Sequence, residues 1–466
     1  MSDFSCIVNS GRLLLGIALA FVPSAVFCQV VPPAPTSLPT PLTLPEAFSL
    51  ALKHQPSQFI ARDQLTQAQG QRLQAQSQYY PTLTPRYQFQ RQNQTLLGIS
   101  VPAAGTTGTA ASSFSPTTVV QGGGLAVSLN QTLFDGGARE AANAQARRAV
   151  ETADFGGAVA RQNTILTVTQ DYYQILLAQD LVKVAQAQVT RYKQAVELVQ
   201  AQIAAGTLAA KNVYQAQSDL ANAQVTLLQN QNQRQLASAT LKNALGVATN
   251  APVQPAPLAA GDQLPPLPPA GLPQTLDEAL AAAFADRPDL RQQQAVVESQ
   301  NAALNLARRQ TGLSVRGDYA LTYQATNDLG ARGTSSQVLL TGSYPLFDAG
   351  AARGAVRIGQ AQRDLARNQL EQVRQQVRLD VEQAIGTRAA NLEEAQLSLA
   401  AIAAAQVNFD AAVAARREGI GTLLDITVAQ ATLTQAQNQY VTAVYNFYTA
   451  DAQLQHALGR NDVGFR

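Results

Sequence analysis

Leu133-Phe134-Asp135-Gly136-Gly137 returns 213 residues later as Leu346-Phe347-Asp348-Ala349-Gly350, and both copies divide one kind of pattern from another. Ahead of the first, Leu125, Val127, Leu129 and Leu133 alternate with Ala126, Ser128, Asn130 and Thr132. That period of two is a strand with one apolar face. Behind it, helical spacing runs without proline to about Ala205, roughly 70 residues or about 100 Å at 1.5 Å per residue. Ahead of the second copy, Val338, Leu340, Tyr344 and Leu346 form the equivalent strand pattern. Each copy is therefore a junction where a strand hands over to a very long helix.

The duplication extends well beyond these junctions. Leu44, Glu46, Ala47, Pro56 and Tyr87 recur as Leu276, Glu278, Ala279, Pro288 and Tyr319 at an offset of 232. Gly206, Ala216-Gln217 and Leu245-Gly246 recur at 213 as Gly419, Ala429-Gln430 and Leu458-Gly459. One length change between Tyr87 and Leu133, in a stretch rich in Gly, Ser, Thr and Pro, accounts for both offsets. A fixed-offset repeat decides architecture before any local propensity does. The organisation expected is a signal peptide at 1–28, a Pro-rich linker at 29–45, a first repeat at 46–246, a second Pro-rich linker at 247–274, a second repeat at 275–459 and a tail at 460–466. Neither Pro-rich run is expected to be helix or core.

Each repeat reads as helix, strand, loop, strand, long helix, break, returning helix. Strands are expected at about 82–91, 124–134, 313–323 and 337–347, lengths that suit a tilted membrane-spanning strand. Four strands are too few to close, and open edges in lipid leave backbone groups unsatisfied, so a membrane role requires further copies of the chain. A soluble four-stranded sheet is the alternative. Gly122-Gly123-Gly124 reads as loop rather than a phosphate cradle, because no Lys-Ser or Lys-Thr follows it. In the first long helix Val168, Ile175, Val182, Val189, Val196 and Ile203 keep a spacing of seven, the mark of coiled-coil packing. Gln179, Gln186 and Gln200 make the complementary series partly polar. Gly206 and Gly419 interrupt the long helices where a left-handed C-terminal residue is expected.

Composition narrows the function. The chain has 466 residues, 6% aromatic, 14% charged and no Trp, so bulky core anchors are scarce and polar positions fall largely to Gln. A net charge of +2 gives no bulk attraction to nucleic acid, and no nucleic-acid partner is expected. Arg12, the apolar run Leu13 to Val22, then Pro23-Ser24-Ala25 have the form of a secretory signal, with cleavage after Ala25 or Cys28. Cys28 is also open to lipidation, although Phe27 precedes it where lipoprotein signals carry a small residue. Both cysteines, Cys6 and Cys28, lie in this segment. No His-Glu-x-x-His, Cys-x-x-Cys or Gly-x-x-x-x-Gly-Lys pattern occurs, so zinc, thiol and nucleotide chemistry lack their ligands. His54 and His456 read as polar helix-end residues, and no cofactor, metal or catalytic role is expected.

At Leu44-Pro45-Glu46-Ala47, Leu276-Asp277-Glu278-Ala279, Tyr80-Pro81-Thr82-Leu83, the two Leu-Phe-Asp junctions and Gly419-Ile420-Gly421-Thr422-Leu423-Leu424-Asp425, the chain resembles the TolC family of outer membrane efflux proteins. The resemblance implies a mainly α fold with a small β part. It implies a homotrimer in outer membrane lipid, whose twelve strands form one barrel continued by a helical periplasmic tunnel. It further implies docking to a periplasmic adaptor and an inner-membrane transporter, hence a passive exit duct for efflux or secretion. Asp425 matches an acidic position of the family's gate, which makes Asp425, Asn212 and Arg416 the candidate pore gate. Asn212 stands where the best-known member has Asp, Val428 where it has a second acid, and Arg416 where it has Tyr. Thr422 to Asp425 also fits a capping box that starts the returning helix, and both roles stay open. Gly206, Gly419 and Gly421 are the expected hairpin turns, and Phe134, Asp135, Gly137, Phe347, Asp348 and Gly350 the strand-to-helix junctions. A non-conducting trimeric coiled-coil scaffold is the competing reading.

Overall fold

The computed structural model describes residues 40–95, 117–206, 208–247, 253–259, 261, 263–269, 275–326 and 332–460. The expected signal peptide with Cys6 and Cys28, most of the first Pro-rich run and all but the first residue of the tail lie outside these residues. The described residues all belong to one unit.

Its first half contains α1 (Leu44–His54), α2 (Pro56–Ser77), β1 (Thr82–Thr95), β2 (Thr117–Phe134), α3 (Ala138–Ala204) and α4 (Lys211–Leu245). The second half repeats the order with α5 (Leu276–Asp286), α6 (Pro288–Arg309), β3 (Ser314–Thr326), β4 (Arg332–Ser343), α7 (Ala351–Arg417) and α8 (Leu423–Ala457). The fold is mainly α with a small β part, as the sequence leads one to expect. Glu46 accepts from the Thr43 N–H at 3.0 Å and Glu278 from that of Thr275 at 3.4 Å, so acidic caps start both repeats. Gln55 and Arg287 precede Pro56 and Pro288 and are extended, at ψ 125° and 122°. A proline disfavours the helical region for the residue before it and is itself at home at the first helical position. The helical run before the first strand is therefore two helices in each repeat.

The four strands form one antiparallel sheet in the order β1-β2-β3-β4. Gly122-Gly123-Gly124 lies inside β2, which corrects its reading as loop. A Cβ on Gly123 would stand 3.0 Å from the Tyr87 hydroxyl, and one on Gly124 3.1 Å from Tyr323 O, so glycine here admits close approach from both neighbouring strands. The fourth strand stops at Ser343 instead of reaching 347. Tyr344 and Pro345 follow, and Pro345 has no N–H to continue a ladder.

Helix α3 packs along α2, α4, α6 and α8. Val168, Ile175, Val189 and Val196 of the seven-residue series are buried, while Gln186 and Gln200 are exposed. Among the described residues the buried aromatic side chains all lie on α3 and α8, and there Tyr173 stacks on Tyr448 with centroids 5.1 Å apart. Parts of both Pro-rich runs belong to this core, contrary to expectation. Leu42 is fully buried and exchanges hydrogen bonds with Gln254 and Ala256 of the second run at 2.8 and 2.9 Å. Tyrosine hydroxyls answer backbone carbonyls of these two runs. Tyr172 Oη donates to Leu42 O at 3.0 Å and Tyr440 Oη to Pro265 O at 2.7 Å.

Beside this core, burial raises the Asp171 carboxyl to about 6. A carboxyl raised on folding costs stability as pH climbs from its unfolded value near 4 through 6, and the cost is then constant. Asp171→Asn is expected to stabilise the fold at pH 7 to 8 by up to about 3 kcal/mol, each pH unit between the two values being worth about 1.4 kcal/mol. The gain is expected to vanish below about pH 4. Thermal melts across pH check this, and an equal gain at all pH contradicts it.

Candidate functional site

The sheet presents two unlike faces. Leu83, Tyr87 and Phe89 of β1 lie on the same side as Leu125, Leu129, Tyr319, Leu321, Tyr323, Val338 and Leu340, following the directly opposed pairs Tyr87 with Leu125, Leu129 with Tyr319 and Tyr319 with Val338. All ten are exposed in a single chain. The opposite face gathers Arg86, Gln88, Gln90, Ala126, Thr322 and Gln324 around a shallow concavity. A sheet with an aromatic and aliphatic wall exposed on one side and amides on the other matches a barrel wall between lipid and water.

Aspartates fasten this wall to the long helices. Asp135 accepts from the N–H of Gly137 at 3.1 Å and of Arg139 at 2.8 Å. Asp348 accepts from the N–H of Gly350 at 3.0 Å and of Ala352 at 2.7 Å, and these bonds hold its carboxyl below the usual carboxylate range. Gly137 and Gly350 have φ of 85° and 93°, a backbone that explains glycine there. In the first junction Arg139 also bonds Asp135 Oδ2 at 2.9 Å and Thr132 O at 2.8 Å. The second junction has Ala352 at that position, and Leu346 and Phe347 are far more exposed, at 92% and 88%, than Leu133 and Phe134 at 56% and 51%.

At the far ends of the helices lie the hairpin turns. Gly206 and Gly419 have φ of 73° and 80°, the left-handed residues expected. Gly421 has a different reason: a Cβ there would lie 3.0 Å from Arg416 N and 3.1 Å from Ala415 C. Its N–H donates to Ala415 O at 3.0 Å, as does that of Ile420, closing the end of α7.

The candidate gate residues occupy three separate positions in these turns. Asp425 Oδ2 accepts from the Thr422 N–H and hydroxyl, both at 2.7 Å, and its own N–H donates to Thr422 Oγ1 at 3.2 Å. This is a complete capping box, and it holds the Asp425 carboxyl below its ordinary range. Arg416 donates to Gly421 O at 3.3 Å and to Gln202 Oε1 of the other hairpin at 2.9 Å. Asn212 stands in the first turn of α4, where its N–H donates to Ala209 O at 3.1 Å. Sequence reading passed over Gln202, whose only mark is its place one turn before Gly206. It read Leu423 only as part of the turn motif, whereas Leu423 packs against the cluster of Val196, Val199 and Ala216. Arg416 and Leu423 thus connect the tip of one hairpin to the other.

Within the second repeat, at the junction of α5 and α6, Arg287 makes a second fastening. Its side chain is 8% exposed and donates to Asp289 at 2.7 and 3.0 Å, to Asp380 of α7 at 2.9 Å and to Ala457 O of α8 at 3.5 Å. Burial works against the Asp289 carboxylate, but the bonds and charge of Arg287 outweigh it and leave that group below its ordinary value. Nearby, burial and then the Arg287 charge lower His456, whose Nε2 lies 3.0 Å from Asn163 Oδ1. Among the described residues no cluster of His, Cys, Asp and Glu is placed to hold a metal.

The family described as outer membrane efflux protein matches residues 47–247 and 279–460. BepC, an outer membrane efflux protein of Brucella suis, is 26% identical over 355 residues, 72% of this chain and 72% of its own. The outer membrane protein VceC of Vibrio cholerae superposes with a TM-score of 0.72 at 21% identity, over 90% of this chain and 96% of its own. The outer membrane channel CmeC of Campylobacter jejuni does so at 0.74 and 15% identity, over 89% of this chain and 85% of its own.

Proposed function

This chain belongs to the outer membrane efflux protein family, and we propose that it works as the passive exit duct of a tripartite efflux or type I secretion system. It is a protein of the outer membrane with a helical periplasmic part, and it is not an enzyme. The observation that carries the proposal is the handover at Asp135 and Asp348, where a two-faced sheet continues directly into two helices of 67 residues each. The sheet supplies a wall for lipid, and the helices, about 100 Å long at 1.5 Å per residue, supply a conduit beneath it. Three copies would bring the strands to twelve from the four per chain. They would also cover apolar side chains that a single chain leaves exposed, among them Tyr214 and Leu228 on α4 and Ile358 and Leu365 on α7. The helical end would then meet a periplasmic adaptor and an inner-membrane transporter, which sets the cargo. A non-conducting scaffold accounts for the helices but gives no use to four apolar-faced strands interrupting them.

In this reading Arg416 holds the hairpin tips together through Gln202 and narrows the inner end of the duct. Arg416→Ala and Gln202→Ala are each expected to enlarge single-channel conductance in planar bilayers. Unchanged conductance in both variants removes the latch. Three copies of the ionised Asp425 near an axis would form a ring that attracts cations. Asp425→Asn is therefore expected to lose block by divalent cations, and block that persists returns Asp425 to helix capping alone.

A further inference from the structure

We infer that the polar face of the sheet carries a binding niche for small hydroxylated anions, in which Arg86 meets the charge and Gln88, Gln90, Thr322 and Gln324 meet the hydroxyl groups above a glycine floor. The inference rests on the duct reading, which turns this face toward water, and adds a site where passing solutes are held.

The niche begins as a gap in the strand pattern. Gly122 and Gly124 of β2 stand on the polar side, where Gly124 pairs with Gln88 of β1 and Gln324 of β3, and Gly122 pairs with Gln90 and Thr326. Neither adds a side chain, so the flanking strands surround a hollow of about 260 Å³. Arg86, Ala126 and Thr322 stand in one row across three strands and border it toward the helices. Glycine inside a strand costs conformational entropy and often marks the close approach of another group.

The duplication shows that the fold does not require this hollow. At the matching places of the second hairpin, displaced by 232 on the first strand and 213 on the second, Ala320 pairs with Gln337 and Thr322 with Ser335. Side chains therefore stand where the first hairpin has glycine. Arg86 itself corresponds to Asp318. The two hairpins keep the same register, and the first alone sets a bare floor beside a cation.

The charge on this face is unbalanced at the niche. Among the described strand residues, Arg86, Arg316 and Asp318 are the charged groups on the polar side. Arg316 and Asp318 lie two residues apart on one strand and offset each other. Asp318 is level with Thr82, since both pair with Asn130, and so stands four residues, or about 13 Å along the strands, from the row of Arg86. Among the described residues Arg86 forms no ion pair. Its planar fork suits a carboxylate or phosphate, which it can bond twice. The amides and the threonine hydroxyl both donate and accept, as hydroxyl groups require. One cation ringed by such groups favours an anion that also bears hydroxyls over a bare inorganic ion.

The chain has no Trp, so Ser335→Trp, opposite Thr322, places a single indole beside the niche. Quenching of its fluorescence by iodide is compared with quenching by neutral acrylamide, at constant ionic strength, in full-length protein assembled in detergent. The preference for iodide is expected to fall roughly two-fold or more in Arg86→Gln, the local enrichment that one nearby charge gives in water, and to persist in Arg86→Lys. Glucose 6-phosphate is expected to shield the indole from iodide at several-fold lower concentration than inorganic phosphate, and glucuronate at several-fold lower concentration than acetate, while glucose gives no shielding. Gln324→Ala is expected to keep the iodide preference and lose the advantage of both sugar anions, which separates the niche from charge alone. Circular dichroism of each variant confirms that it has folded. Equal shielding by glucose 6-phosphate and inorganic phosphate overturns the niche, as does an iodide preference that survives Arg86→Gln, and both results leave the duct standing. An indole that acrylamide cannot reach contradicts a water-facing wall and overturns the niche and the duct together.

Discussion

Arg287→Ala is expected to lower the stability of the folded chain by about 3 kcal/mol. Removing one member of a buried ion pair costs about 3–5 kcal/mol because the other is left uncompensated. The lower end applies here, since Asp289 and Asp380 keep 34% and 31% of their side chains exposed. The guanidinium is the only group in this fastening that reaches three elements at once: its own α5–α6 junction, Asp380 on α7 and Ala457 O at the end of α8. Arg287→Lys keeps the charge but loses the fork, and is expected to fall between the two. Thermal midpoints at pH 7 read the difference. A loss within 1 kcal/mol for the alanine variant would mean that packing of the surrounding helices, not this charge, holds the junction.

Gly459→Ala is expected to be at least as damaging, for a reason confined to backbone. Gly459 has φ of 78°, and a left-handed conformation costs an L-residue about 1–2 kcal/mol. Its Cβ would also stand 2.6 Å from Arg287 N and 2.7 Å from Asp286 C, atoms of main chain that cannot swing aside. Gly246 repeats the situation, with φ of 68° and a Cβ 2.6 Å from His54 O. Gly206 and Gly419 share the positive φ but have nothing within 4 Å of a Cβ. Alanine at 246 or 459 is therefore expected to cost about 2 kcal/mol or more beyond alanine at 206 or 419, where the conformational cost of about 1–2 kcal/mol stands alone. Equal losses at all four glycines contradict the close approach.

These glycines also show what was readable beforehand and what was not. The pair Leu245-Gly246 and Leu458-Gly459 stood out in sequence because it recurs, and recurrence laid out the order of elements, the strand-to-helix junctions and the hairpin turns. That each glycine seats against the extended residue before Pro56 or Pro288 depends on contacts between distant segments. Proline misled in one respect. Composition marks the two Pro-rich runs as spacers, yet Leu42 and Pro265 are held in the core by tyrosine hydroxyls whose targets no local pattern announces. The triple glycine misled similarly, because its place in β2 is set by Tyr87 and Tyr323 on neighbouring strands. At the tips, charge and family likeness drew attention to Asp425, which proves to be occupied with its own helix start. The cross-hairpin partner of Arg416 is an uncharged glutamine among many, and only its position identifies it.

The central claim is that assembled copies of this chain enclose a continuous aqueous path. Purified protein reconstituted into vesicles loaded with a small, uncharged fluorescent solute tests it most directly, with wild type compared to Arg416→Ala. The account predicts release through wild type and faster release through the variant, both dependent on incorporated protein. Retention of the solute by vesicles carrying correctly inserted trimers of both proteins would contradict the duct and favour a non-conducting scaffold.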